Sequence, residues 1–256
     1  MRYGLLALLV VVMSVESGSA KDRLRFVTLE FAPFIYGENK QVAGPGRDVI
    51  AMVCRKAGID CSYDIYPWRR AQALMDAGRA DGMMVIGRNP DREKWLRFSP
   101  PMFRTEYGFF VQSRNLLDYK SSNQVAGYRV GVFAPSNTAR TLAAIRSLMK
   151  QNGITPIEID ERPDDSSGFR KLSAGRLDAV FSNRDRGRDI IKKEEIVAKV
   201  RYAGQHKALF YYAGIRKAYP DQRVVDRFFE SWEALFDEGA AQKIIRAAGL
   251  EPAPLH

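Results

Sequence analysis

A rhythm that occurs twice constrains this chain more than any other feature. Short apolar runs alternate with amphipathic stretches. The spacing predicts a strand over Leu24–Leu29, a helix over Asp48–Ala57, a strand over Ser62–Tyr66, a helix over Arg69–Ala77 and a strand over Gly82–Ile86. The amphipathic stretches mark the helices, and the short apolar runs mark the strands. An extended segment, Tyr107–Gln112, then interrupts the pattern. It resumes with a strand over Arg129–Phe133, a helix over Thr138–Gln151, a strand over Ile154–Ile159, a helix over Ser167–Ala174 and a strand over Ala179–Phe181. Each βαβαβ unit implies a parallel sheet with helices on its faces, so the fold class is α/β. Ligands of such sheets sit beyond the carboxyl ends of the strands. Two units joined by extended connections predict two lobes and a cleft, against the alternative of one continuous sheet.

The rest of the chain fits around these units. Lys199–Ile215 is a mixed stretch rich in Tyr and Phe, followed by amphipathic helices over Gln222–Glu238 and Ala241–Ala248. Gly239 separates those helices and Gly249 stops the second. At the N-terminus, Arg2, the apolar run Leu5–Met13 and the small residues Gly18-Ser19-Ala20 read as a cleaved signal peptide over 1–20, with a mature chain from Lys21. An uncleaved anchor is the weaker alternative, since polar residues begin at Ser14. The chain is therefore placed outside the cytoplasm.

Export bears on the two cysteines. Cys54 falls in a predicted helix and Cys61 at the start of a predicted strand. In an oxidising compartment a bridge between them is geometrically reasonable; two buried thiols are the alternative. With only two thiols and two histidines, no metal-ligand spacing exists, and no cofactor is expected. The formal net charge of +10 could attract acidic partners, but the basic residues are scattered among 30 acids. No basic tail or nucleic-acid motif accompanies them, so no nucleic-acid partner is expected.

Several landmarks in fixed order resemble the solute-binding proteins of polar amino-acid ABC importers, family 3, and within it the lysine/arginine/ornithine- and histidine-binding proteins. They are Phe31-Ala32-Pro33-Phe34, Gly44 to Asp48, the Cys54/Cys61 spacing, Asn89-Pro90-Asp91-Arg92 with Phe98-Ser99, Val130-Gly131-Val132 before Pro135-Ser136-Asn137, Ala174 to Ala179, and Asp237-Glu238-Gly239. The resemblance implies a periplasmic binding protein-like fold of type II, with two lobes and a double-crossover hinge. Lobe 1 would be residues 22–111 and 212–256, and lobe 2 residues 112–211. It implies a periplasmic, monomeric protein that captures a small-molecule ligand with a carboxylate and hands it to a membrane ABC permease. A membrane sensor is the alternative recipient. It also supports the Cys54–Cys61 bridge.

The resemblance carries site residues over one by one. Arg92 matches the arginine that grips the ligand carboxylate, and its planar fork suits that task. Ser136 and Asn137 open a helix whose N-terminal amides attract carboxylates. Phe31 and Trp68 match apolar walls. Gly87 stands where the family has a hydroxyl residue. Asn183 replaces the usual aspartate that pairs with the ligand's ammonium, which leaves Glu30 as the acid for that role. Arg69, Arg70, Arg88 and Arg184 fall near the expected cleft. An excess of positive charge with few acids predicts that an ammonium on the ligand is dispensable. A periplasmic cyclohexadienyl dehydratase shares this fold, so an enzyme is a further alternative. It would need a proton donor in the cleft, and only Glu30 and Glu106 offer one. No catalytic motif supports it, so the expectation is a binder and not an enzyme.

Overall fold

The structure, a computed structural model, describes residues 22–254, so the expected signal peptide lies outside the described residues. The first half runs β1 (Arg23–Thr28), a hairpin of β2 (Tyr36–Glu38) and β3 (Gln41–Ala43), α1 (Pro45–Ala57), β4 (Asp60–Ile65), α2 (Trp68–Asp76), β5 (Gly82–Gly87), α3 (Pro90–Glu93), β6 (Leu96–Phe98) and the long β7 (Phe103–Gln112). The second half runs β8 (Arg129–Phe133), α4 (Asn137–Gln151), β9 (Glu158–Arg162), α5 (Asp165–Ser173), β10 (Ala179–Asn183), α6 (Arg184–Lys193) and β11 (Val200–Arg216). The chain closes with α7 (Gln222–Asp237), α8 (Ala240–Ala247) and β12 (Glu251–Pro252).

Local chemistry sets these boundaries. Helix α1 starts three residues before the predicted Asp48, because Pro45 has the fixed φ that suits a first helical turn, where its missing N–H costs nothing. It ends at Gly58, which is left-handed at φ 69°. Cys54 and Cys61 are bridged across this turn, tying α1 to β4. Gly239, at φ 71°, separates α7 from α8. Two expectations need correction. The strand predicted over Ile154–Ile159 is β9, four residues further on: Gly153 is left-handed, and the Ile154 amide still bonds back to Met149, so the chain leaves α4 before it extends. Helix α6 was not predicted. Its sequence is strongly polar and contains Gly187, yet a Cβ there would meet the Phe110 ring at 2.2 Å, so only glycine lets α6 pack on β7.

Both alternatives for the sheet hold in part. The backbone hydrogen bonds form one path, β4-β1-β5-β11-β7-β10-β8-β9. Strands β1, β4 and β5 are mutually parallel, as are β8, β9 and β10. The antiparallel ribbon of β7 and β11 joins the two sets. The packing, however, is separate. Phe26, Phe103, Phe228 and Trp232 share a core under α1, α7 and α8, while on the opposite face Leu74 and Met75 of α2 pack with Met83 of β5. In the second half, Phe109, Val130, Leu142 and Phe181 pack beneath α4, and Phe110, Phe169 and Ile190 beneath α5 and α6. Each buried Phe or Leu contributes roughly 1.5–3 kcal/mol by leaving water, so each half has its own source of cohesion. Along β7 the allegiance changes between Phe103 and Tyr107, and Leu209 on β11 touches both cores.

Candidate ligand-binding site

The carboxyl ends of β1, β5 and β8 converge on one small cavity. Leu29 follows β1, Gly87 ends β5 and Phe133 ends β8, and all three line it. Six residues singled out from sequence line the same cavity: Phe31, Trp68, Gly87, Arg92, Ser136 and Asn137. Glu30 and Asn183 do not.

Arg92 is held from both sides of its own segment. Its backbone N–H donates to the Asn89 side-chain oxygen at 2.9 Å, and its guanidinium donates to the Gly87 carbonyl at 2.6 Å. The same group lies 5.0 Å from the centre of the Trp68 ring. Among the described residues no carboxylate pairs with it, so its charge is uncompensated. Burial therefore pulls it down to about 10 from the ordinary 12.5, with the nearby Tyr107 opposing and Arg140 reinforcing the shift. A carboxylate placed against this fork would reverse that cost.

The facing wall is the start of α4. Ser136 is the N-cap: its hydroxyl accepts from the Ala139 amide at 2.9 Å and donates to the Phe133 carbonyl at 2.6 Å. The amides of Asn137 and Thr138 have no intrahelical acceptor, and both residues line the cavity. The Asn137 side chain is taken up by Asn89 across the gap, at 2.8 Å. Phe31 stacks on Phe34 with centroids 5.3 Å apart and meets Tyr211 edge-on.

Tyr107 and Tyr211 are among the lining residues that sequence reading missed. Their hydroxyls contact each other, and Tyr107 also contacts Thr138; burial pushes both phenols up. Both lie on the ribbon between the halves, where a tyrosine among other aromatics carries no distinctive signal. Val85 also lines the cavity, at φ 53°, a conformation that β-branched residues rarely adopt. The pairing of β5 with β11 shifts register there.

Asn183 and Glu30 are used locally. Glu30 is exposed and accepts from the Gly37 amide at 2.9 Å. Asn183 is buried and caps α6, accepting from the amides of Asp185 and Arg186, while its amide donates to Thr105 and Tyr211. The expected surplus of positive charge is also corrected. Arg184 pairs with Glu106 and Asp185, Arg88 with Glu93, and Arg186 with Asp165. Asp165 and Asp185 were not foreseen as neighbours of Asn183. Each sits in the first turn of a helix that sequence reading started late or omitted. Burial pushes the Asp165 carboxyl up, and Arg186 opposes the shift. The argument that acids are scarce here therefore falls. Among the described residues no cluster of His, Cys, Asp and Glu is arranged to hold a metal, and no helix is long and apolar enough to cross a membrane.

Two α/β halves with a cation and a helix N-terminus facing each other across a cleft define a solute-binding clamp. The chain belongs to the bacterial extracellular solute-binding proteins, family 3, whose profile matches residues 24–246. This is a family of binding proteins, and the enzyme alternative loses its footing with that membership. Among relatives, the chain is 25% identical over 199 residues to the L-cystine-binding protein TcyJ of Escherichia coli K12, covering 72% of this chain and 71% of the relative. Solved structures share the fold. A structure from work on glutathione import via GshT and the cystine importer TcyBC of Streptococcus mutans superposes with TM-score 0.79 at 16% identity, over 92% of this chain and 98% of that one. An ancestral arginine-binding protein bound to arginine gives 0.74 at 22%, over 89% and 98%. A histidine kinase sensor domain gives 0.78 at 17%, over 91% and 99%.

Proposed function

We propose that this protein captures a small amino-acid-like solute by its carboxylate and delivers it to an ABC permease. The observation that carries the reading is Arg92: a guanidinium without an ion pair that lines one cavity together with the first residues of α4. Two charge-assisted bonds from that fork, with the helix dipole behind them, suit an oxyanion such as a carboxylate. The relatives point the same way, since cystine, arginine and glutathione all carry an amino-acid carboxylate.

The remaining assignments are part of the same proposal. Residues 1–20 are a cleaved signal that sends the mature chain to the periplasm, where it acts as a monomer. The lobes correspond to residues 22–111 with 212–256, and 112–211. Packing supports moving the first crossover into β7, between Phe103 and Tyr107. Asn183 supports the site through α6 and does not touch the solute.

Mass spectrometry of solute released from gently purified protein tests the class. An amino acid, or a compound with an amino-acid end, is expected; a neutral sugar or a bare cation would refute it. Calorimetry of that solute against its deaminated form then shows whether the ammonium matters.

A further inference from the structure

The inner cavity is only about 60 Å³. Ligand sites usually run from roughly 300 to 1,000 Å³. Closed as it is here, the cavity has room for one end of a solute and not for the whole of it. The gap is held by contacts across it, Asn89 with Asn137 and Asp91 with Arg140. A second cavity of about 660 Å³ opens directly outward. Trp68, Arg92, Ser136 and Asn137 line both, so the two adjoin.

The outer chamber has its own charges. On its walls Arg140 is taken by Asp91 and Arg162 by Asp160. Arg69, at the start of α2, makes no ion pair among the described residues, and neither does Glu161, at the opposite rim on β9; both line the chamber. Asp76, two turns along α2 from Arg69, is likewise unpaired there. A free cation on one wall and free acids on both walls match a group that carries both signs.

From these volumes and charges we infer that the solute is elongated, with two amino-acid-like ends. One carboxylate sits on Arg92. The other end lies in the outer chamber, its carboxylate on Arg69 and its ammonium on Glu161 or Asp76. This rests on the proposed role of Arg92 and adds the far end of the solute.

Calorimetry with two probes tests it: L-cystine, which has two such ends, and S-methyl-L-cysteine, which has one. The wild type should bind L-cystine about three- to tenfold more tightly, the worth of two partly screened ion contacts. Arg69→Ala, Glu161→Gln and Asp76→Asn, combined, should remove that advantage and leave S-methyl-L-cysteine unchanged. Circular dichroism confirms that these surface variants fold. Equal affinity for the two probes, no effect of the combined variant, or failure of both probes to bind overturns the inference. If Arg92→Ala abolishes binding while the outer variants do nothing, only the outer site is refuted. If Arg92→Ala has no effect, the underlying reading falls with it.

Discussion

The Asn89 side-chain amide donates to the Asn137 side-chain oxygen at 2.8 Å, joining the end of the first parallel set to the helix that opens the second. Asn89 also accepts from the Arg92 amide, so one side chain both bridges the gap and holds Arg92, the proposed carboxylate anchor, in place. Close by, Arg140 reaches Asp91 at 3.1 Å, but both are exposed. Asn89→Ala should therefore weaken solute binding by about tenfold, the loss of two hydrogen bonds of roughly 1 kcal/mol each being partly offset by water. Asp91→Asn should cost less than about fivefold, and that cost should shrink at high salt. Calorimetry at two ionic strengths separates them. A larger effect from Asp91→Asn would reverse this ranking.

Gly87 faces the same contact. A Cβ there would come within 2.7 Å of the Asn137 amide nitrogen. Gly87→Ala should displace that side chain, break its bond to Asn89 and favour an open cleft. Small-angle scattering with saturating solute should show a smaller contraction than in the wild type. An equal contraction would show that the bridge is not needed for closure.

How much of this was legible in the sequence depends on the element. The two βαβαβ units were, because Phe26, Val130 and their neighbours alternate at strand period and α1 and α4 carry clean apolar stripes. Arg92, Trp68, Gly87, Ser136 and Asn137 were placed through ordered landmarks, not through composition. Helix α6 was hidden, since its apolar face is little more than Ile190 and Ile191, and its glycine argues against a helix until Phe110 is seen above it. That omission had a consequence. Without α6, Asn183 looked free to bind a ligand, and Asp185 and Arg186 had no position. Tyr107 and Tyr211 were illegible because their meeting depends on the pairing of β7 with β11, a contact between distant segments.

Acid should weaken the second half first. The Asp160 carboxylate is buried with Arg162, Lys171 and Arg129 around it, and the Arg162 hydrogen bond foremost pulls its pKa down to about 2. The folded value lies below the unfolded one, so the stabilisation is complete above about pH 4 and is lost as pH falls through about 2. Asp160→Asn should lower stability at pH 7 by up to about 2 kcal/mol and flatten the acid limb of the stability profile. Denaturant unfolding across pH 2–7 measures it. An unchanged acid limb would show that Asp160 is not the group responsible.

The Cys54–Cys61 bridge closes a short loop, with a sequence separation of 7, and neither cysteine lines the cavities beside Arg92. Loop-closure entropy gives such a bridge about 2 kcal/mol. Replacing both cysteines by serine should lower unfolding stability by about that much and leave solute affinity within about twofold. A large loss of affinity would mean that the bridge organises the cleft as well as the first lobe.

The central claim is that Arg92 holds the carboxylate of the solute. Isothermal titration of the co-purified solute into wild type, Arg92→Ala and Arg92→Lys tests it most directly. Two charge-assisted hydrogen bonds, at roughly 1.5–3 kcal/mol each, predict at least about a hundredfold loss for Arg92→Ala. Arg92→Lys should recover only part of it, because an ammonium cannot reproduce the planar fork. Wild-type affinity in a folded Arg92→Ala variant would contradict the account.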